Sequence, residues 1–224
     1  MRRKASGFTM IEIAIVVAII GILTTLAVMY GRSARQAGDL ASLSWELSIR
    51  ASALRPRAMA ANQDFVLLVV EGTDPAGCRW DASKCGKAVV FSNAQPGFAI
   101  SGFDPDGAYS GTGVDYQEQV AFPKNSRFDS TDAWTAPAPF ASVTAMDSGI
   151  LGTCKNGRSC FAIRYKLDGT VEPVPAAGGS ASSLTPSRAG FALILQPVVA
   201  DSGAAQRRVL FVSFPTGIVK TAVF

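Results

Sequence analysis

The strongest pattern in the chain is a long apolar run close to its N-terminus. From Phe8 to about Tyr30 the residues are apolar or small, with Glu12 as the one charged residue among them. A helix rises about 1.5 Å per residue, so roughly 20 residues are enough to cross the hydrocarbon layer of a bilayer. The run therefore predicts a membrane-spanning helix over residues 8–30.

A helical period continues after this run, but with a single apolar face. Apolar residues recur at spacings of three and four, which is typical of an amphipathic helix. We expect this helix, over residues 31–62, to pack its stripe on the globular part of the same chain. Pro56 lacks a backbone N–H and clashes with the preceding turn, so a kink or an early helix end is expected near Arg55. The stripe consists of Leu40, Leu43, Leu47, Ala51, Leu54 and Ala58.

Beyond Asn62 the apolar pattern changes to short runs that are typical of strands. Turn-forming residues such as Asp168–Gly169 and Pro215–Gly217 separate several of these runs. Two stretches, Ser126–Ser142 and Ala176–Ser187, are rich in proline or in small residues and predict long loops. The candidate strands are Phe65–Val70, Ala88–Ser92, Phe98–Ser101, Gln117–Phe122, Phe161–Lys166, Phe191–Gln196, Arg207–Phe214 and Ile218–Phe224.

One long helix followed by many short strands predicts an α+β fold. The long N-terminal helix, first transmembrane and then amphipathic, is expected to pack on an antiparallel β-sheet or sandwich domain. We therefore divide the chain into a basic leader of residues 1–7, a membrane helix of residues 8–30, an amphipathic helix of residues 31–62 and a β-rich globular domain of residues 63–224.

The charge distribution sets the expected orientation of the chain in a membrane. Arg2, Arg3 and Lys4 precede the apolar run, and basic flanks remain on the cytoplasmic side. The globular domain is therefore expected on the far side. The formal net charge is +4, from 21 basic and 17 acidic residues, and removing these three basic residues leaves 18 against 17, or +1. Net charge thus provides no argument for a nucleic-acid partner.

The chain lacks histidine and the common nucleotide-binding motifs. The chain has no histidine, which is the usual general base and the commonest metal ligand. It also has neither a Walker A loop nor a GxGxxG motif, so we expect no enzyme activity and no cofactor. Phe103–Gly107 is compatible with a calcium loop, but calcium needs six to eight oxygen ligands, and a Pro-Asp-Gly turn also explains these residues.

The four cysteines form two local pairs, Cys78 with Cys85 and Cys154 with Cys160. Close pairs in an exported domain indicate two small disulfide loops. A zinc site is the alternative, but the spacings are not CxxC and no histidine is available to complete a ligand set. We therefore expect two disulfides and no metal.

The position of Gly7 relative to the apolar run bears on how the N-terminus is processed. An ordinary secretory signal has its small-residue cleavage site after the apolar core, whereas Gly7 precedes it. An unprocessed signal anchor remains an alternative. Glu12 argues for processing, since a carboxylate within a membrane helix costs about 2.5–3.5 kcal/mol and requires a partner. Cleavage after Gly7 would place Glu12 four residues beyond a new α-amino group on Phe8.

The segment Gly7 to Glu12, which reads Gly-Phe-Thr-Met-Ile-Glu, is followed directly by the apolar helix. It resembles the processing site of type IV pilins and type II secretion pseudopilins. The resemblance implies that a membrane prepilin peptidase cuts after Gly7 and methylates the new N-terminal Phe8. It also implies that Glu12 pairs with the free amine of a neighbouring subunit during assembly.

Three later segments are similar to the type II secretion protein H and FimT-like minor pilins. They are Leu54–Val66, Phe161–Thr170 and Arg208–Lys220. The chain departs from the pilin pattern at Met29, where many pilins have a proline. Some FimT-like proteins bind DNA through arginines near the C-terminus, whereas Gly217–Thr221 contains one basic residue. DNA is accordingly not an expected partner.

The resemblance implies a minor pseudopilin of the H type, a structural and priming subunit of a type II secretion pseudopilus. The alternative is a minor pilin of a type IV pilus that supports assembly, adhesion, motility or DNA uptake. The expected partners are other pilins, the prepilin peptidase and inner-membrane lipid, with a secreted substrate or surface ligand as a further candidate. The expected location is the inner membrane, with a single pass and a periplasmic domain, followed by the filament and its tip.

Overall fold

The computed structural model describes residues 8–74, 76–92, 100–102, 105, 115–128, 152–155, 157–174, 190–198 and 207–223. The chain divides into two compact units, Met1–Gly38 and Asp39–Phe224. A single long helix, α1 (Met10–Ala61), begins in the first unit and ends in the second. All the strands of the described chain lie in the second unit.

In the first unit, the side chains of α1 are exposed over the apolar run. This part of α1 includes a stretch with a mean hydropathy of 2.6, none of which is buried, and its length and composition suffice to cross a membrane. The Thr24 hydroxyl donates to the carbonyl of Ile20 at 2.9 Å, and the Thr25 hydroxyl donates to the carbonyl of Gly21 at 2.8 Å. These bonds satisfy both hydroxyls within the helix, as an apolar solvent requires.

In the second unit, α1 buries the apolar stripe that the spacing predicted. All six stripe residues, from Leu40 to Ala58, are at most 2% exposed. They belong to one core that also contains residues of both sheets. The prediction that the stripe packs on the globular part of the same chain is therefore confirmed.

The expected early end of the helix near Arg55 is wrong, because α1 continues through Pro56 to Ala61. Pro56 lies on the exposed face, and so does Ser52, whose carbonyl loses its helical N–H partner. A carbonyl on that face can bond to water instead, so the proline is tolerated. The helix ends at Ala61, directly before Asn62, which has a left-handed φ of 52°. The Gln63 amide donates to the Ala58 carbonyl at 3.2 Å.

Within the described residues, the larger sheet has six strands, all paired in antiparallel fashion. Its strands are β1 (Phe65–Val70), β2 (Lys87–Ser92), β3 (Asp115–Ala121), β5 (Gly152–Thr153), β6 (Ser159–Tyr165) and β7 (Val171–Pro173). The strand order is β3-β2-β1-β6-β5, and β7 pairs with β6 off this path.

The smaller sheet, as far as the structure describes the chain, consists of β4 (Ser126–Phe128), β8 (Gly190–Pro197), β9 (Arg208–Ser213) and β10 (Val219–Val223). These four strands are antiparallel, in the order β10-β9-β8-β4. One long helix packed against antiparallel sheets confirms the predicted α+β class.

Most predicted strands agree with the structure to within one or two residues, but some predictions were wrong. Ile100–Gly102 is a 3₁₀ turn, although Phe98–Ser101 was predicted as a strand. Ser126–Phe128 forms β4, although it was assigned to a loop, and β5 and β7 were not predicted. Strands of two or three residues are too short to show a period, so their sequence carries little signal. The remainder of both predicted long loops lies outside the described residues.

The central strand β1 is buried on both faces. Phe65, Leu67 and Val69 share a core with the stripe of α1 and with inward residues of β8 and β9. Val66, Leu68 and Val70 belong to a second core on the other face of the sheet. Neither face of this strand contacts water, so its sequence does not alternate between apolar and polar residues. This explains the uninterrupted apolar run.

Two glycine turns meet the C-terminal part of α1. The Arg55 guanidinium donates through Nε to the carbonyl of Gly169 at 2.9 Å. Gly169 and Gly217 have φ values of 80° and 68°, a region that L-residues with side chains rarely adopt. A Cβ at Gly217 would lie 2.6 Å from Cγ2 of Val171, whose backbone N–H donates to the Pro215 carbonyl at 3.0 Å. These contacts link the helix to turns of both sheets.

We expect Leu47→Ala to lower the free energy of unfolding by about 2–5 kcal/mol, because truncating a buried leucine leaves a cavity. Leu47 is 0% exposed, whereas Ile49, two residues along the same helix, is 48% exposed. Urea denaturation of the full chain in detergent micelles measures the change, and Ile49→Ala is the matched control. Equal losses for the two variants would contradict the proposed packing.

Candidate functional site

The start of α1 is held by a reciprocal set of hydrogen bonds between Thr9 and Glu12. The backbone N–H and the hydroxyl of Thr9 both donate to Oε2 of Glu12, each at 3.1 Å. In return, Oγ1 of Thr9 accepts from the backbone N–H of Glu12 at 3.3 Å. Thr9 directly precedes the first helical residue, and Glu12 is the third. This arrangement is a capping box, in which a Thr and a Glu satisfy each other's amides.

The capping box matters because the first amides of a helix have no partner within the helix. In a bilayer, water is not available to replace that partner, so each unsatisfied amide is costly. The Glu12 side chain therefore stabilises the helix of its own subunit. Oε1 of Glu12, in contrast, has no hydrogen-bond partner among the residues that the structure describes.

Phe8, the residue predicted to become the N-terminus, lies one position before Thr9 and is 83% exposed. Gly7 and the rest of the basic leader lie outside the described residues. The structure thus brings Phe8, Thr9 and Glu12 together at one end of α1, while the cleavage and methylation assigned to Gly7 and Phe8 stay predictions. The pairing of Glu12 with a neighbour's amine also stays a prediction.

Residues 2–28 match the prokaryotic N-terminal methylation motif. This motif indicates a pilin- or pseudopilin-type protein. The match covers 27 of the 224 residues and includes Gly7, Phe8 and Glu12. No curated protein and no solved structure matches the chain.

A pilin-type motif implies assembly with other pilins and processing by a prepilin peptidase. The motif and the apolar start of α1 together fit a membrane-anchored protein. This explains the exposed apolar side chains of the first unit, because lipid or neighbouring helices would shield them from water.

Sequence analysis missed the role of Thr9. The signal was present, since a Thr followed three residues later by a Glu at the start of an apolar run is the usual capping-box pattern. We interpreted the segment only as a processing site and assigned Glu12 only to a neighbouring subunit. The two interpretations of Glu12 are compatible, because the capping box uses only Oε2 of the carboxylate.

The four cysteines are paired locally. Cys78 bonds to Cys85 and Cys154 bonds to Cys160, with S–S distances of 2.03 and 2.01 Å. All four are buried, with at most 6% exposed. The first bridge lies in the core that contains the stripe of α1. The second bridge lies in the core on the opposite face of β1, with Val66, Leu68 and Val70.

The loop closed by the first disulfide carries an exposed aromatic ring. Trp80 is 72% exposed, and the Arg79 guanidinium lies 4.9 Å from the centre of its ring. Asp81 accepts hydrogen bonds from the hydroxyl and the backbone N–H of Ser83, which lower the pKa of that carboxyl below its usual value. These local bonds shape the loop, and the Asn125 amide, which donates to the Cys78 carbonyl at 3.1 Å, ties it to the segment before β4.

A shallow groove of 540 Å³ lies beside the second-unit part of α1. Trp45 and Ile49 form its apolar wall and are 66% and 48% exposed. A network of ion pairs borders it, in which Arg50 contacts Glu46 and Glu118, and Arg57 contacts Glu118 at 2.8 Å. Two arginines face two glutamates, so the border carries no net charge. Glu118 is on β3, and the network therefore ties this outer strand to the helix.

Replacing Cys154 and Cys160 together with Ala should lower the free energy of unfolding by about 2 kcal/mol, because a loop of this length loses its cross-link in the unfolded chain. Urea denaturation under oxidising conditions measures the difference from the unaltered chain. Adding a reductant to both forms is the control, since reduction should bring their stabilities together. A variant as stable as the unaltered chain under oxidising conditions would contradict a stabilising role for this bridge.

Proposed function

We propose that the protein is a minor pseudopilin of the H type, a structural and priming subunit of a type II secretion pseudopilus. The observation that carries this proposal is the helix start, where Phe8 and Glu12 lie together within a matched methylation motif. Assembly after peptidase processing is the function, so we propose no catalytic role for any residue.

The H-type assignment rests on the three similar segments, and contacts between the first two support it. Leu54–Val66 contains the end of α1 and the start of β1, and Phe161–Thr170 contains most of β6 and the following turn. Phe65 on β1 is paired with Tyr165 on β6. The Arg55 side chain bonds to the turn of the second segment. These contacts join the first two segments in one structural unit.

In the proposed assembly, the precursor inserts in the inner membrane with its β-rich unit in the periplasm. Cleavage after Gly7 creates a free amine on Phe8, and the carboxylate of Glu12 binds the amine of the adjacent subunit. An uncompensated carboxylate in this position costs about 2.5–3.5 kcal/mol, and a neighbour's amine offsets that cost. The apolar helices then pack together in the filament, with this subunit at the tip.

The runner-up function is a minor pilin of a type IV pilus that supports assembly, adhesion, motility or DNA uptake. The same observation favours it, because pilins and pseudopilins share the methylation motif and the helix start. DNA uptake is the least supported variant, since Lys220 is the one basic residue in the segment Gly217–Thr221.

Glu12→Ala should block incorporation into the filament without unfolding the β-rich unit. The carboxylate is then missing at the helix start, while the core around Leu47 is unaffected. Sheared surface filaments, probed for this subunit by immunoblot, measure incorporation. Asp39→Ala removes an acidic residue from the same helix outside the motif and is the matched control. Normal incorporation of the Glu12 variant would contradict the docking mechanism.

Deleting the gene separates the two machines. Loss of secreted enzymes with normal surface pili supports the pseudopilus, and complementation by the unaltered gene should restore secretion. Loss of pili with normal secretion would overturn the secretion assignment and establish the pilus subunit. A deletion strain with normal secretion and normal pili would contradict both functions.

A further inference from the structure

We propose that the outer edge of β10 is a docking site for an extended segment of another protein, which adds a strand to the smaller sheet. β10 (Val219–Val223) is the last strand on one side of that sheet in the described residues, and β9 is its one strand partner there. This inference concerns a different part of the chain from the helix start and does not depend on the proposed function.

The pairing with β9 decides which backbone groups of β10 face the open side. The Ser213 amide donates to the Ile218 carbonyl at 2.9 Å, and these two residues continue the register of β9 and β10 by one position. In an antiparallel ladder, hydrogen-bonded pairs alternate with non-bonded pairs. The backbone groups of Lys220 and Ala222 therefore bond to β9, and those of the residues between and beside them face away from the sheet.

Three residues of β10 thus present both an N–H and a C=O group at the open edge. They are Val219, Thr221 and Val223, and none of these groups has a hydrogen-bond partner among the described residues. The Val219 side chain packs against the main core, which fixes the position of the edge. Thr221 is exposed and Val223 is 52% exposed, so their side chains remain accessible beside it. Alternating donors and acceptors at the spacing of a strand are the pattern that an extended backbone matches.

Other outer strands of the described sheets carry features by which proteins protect sheet edges, and β10 carries few of them. The strands β4, β5 and β7 have three residues or fewer. β3 has a register shift where it pairs with β2, and its sequence includes Asp115 and Glu118. β10 pairs with β9 over five consecutive positions without a shift, has no proline and includes Lys220 as its one charge. This edge is therefore long and regular enough to accept a strand.

A second copy of this chain fits the edge less well than a segment of a different protein. The symmetric pairing of two β10 strands is antiparallel, about an axis perpendicular to the smaller sheet. Such an axis reverses the direction of every element that lies along the sheet, including the second-unit part of α1, whose stripe packs on it. Chains anchored in one membrane by α1 run in the same direction. Two copies paired in this way cannot both keep their anchors in one membrane.

The test uses the full chain in detergent micelles and the synthetic peptide Lys-Thr-Val-Thr-Val-Thr-Glu, which is rich in residues that favour strands. Amide hydrogen exchange, measured for each residue by NMR, compares β10 without and with about 1 mM peptide, enough to detect weak binding. Exchange at the amides of Val219, Thr221 and Val223 should slow about tenfold, because each gains a hydrogen bond. Exchange at Lys220 and Ala222, whose amides already bond to β9, should not change.

The control peptide has the same sequence but is N-methylated at the central Thr and at the Val that follows it, which blocks both of its edges. It should leave exchange throughout β10 unchanged. The control in the protein is Thr221→Pro, because a proline is tolerated in an edge strand where its missing N–H faces outward. This variant should lose the protection that the peptide gives, whereas Thr221→Val, which keeps the amide, should retain it. Where Thr221→Pro lowers stability, the two peptides carry the test alone.

Three results would overturn the proposal. Slow exchange at the outward amides of the chain alone, at every protein concentration, would show that the chain covers this edge itself. Slowing that appears without peptide as the protein concentration rises would assign the edge to a second copy. Unchanged outward amides with the unmodified peptide, or equal slowing by the methylated one, would show that the edge does not bind an extended backbone.

Discussion

The packing of one apolar helix stripe is the contact on which the β-rich unit depends. The stripe from Leu40 to Ala58 contributes to a core that includes inward residues of both sheets. Each sheet has an apolar face that must be covered, and the same helix covers both. Arg55 and the turns at Gly169 and Gly217 add polar and steric contacts at the end of that stripe.

The start of the same helix obeys a different constraint. Its residues are exposed and apolar, and Glu12 is the one charged residue in the run. The capping box with Thr9 gives the Glu12 carboxylate a structural task in a single subunit. The proposed docking on a neighbouring subunit would give the same carboxylate a second task. Thr9 and Glu12 form one structural unit at the helix start.

Periodic features were predictable because their physics is local. The stripe of α1, the apolar run of β1 and the glycine turn after β6 all follow from spacing or from special backbone angles. The end of α1 was not predictable from spacing. The free-energy cost of Pro56 depends on whether the carbonyl that loses its helical hydrogen bond faces water or protein. The short strand β4 was missed for a related reason, because three residues form a strand only when β8 lies beside them.

By itself the sequence determined that the chain carries a basic N-terminal segment, an apolar helix, a methylation motif and a β-rich remainder. These features depend on residues close together in the chain, and patterns of spacing report them directly. Only the tertiary structure decided that β1 is covered on both faces and that Glu118 on β3 is tied to the helix through Arg50 and Arg57. It also showed that Oε2 of Glu12 accepts both hydrogen bonds of Thr9. Such contacts depend on the positions of atoms, including those of residues far apart in the chain, and spacing alone does not specify them.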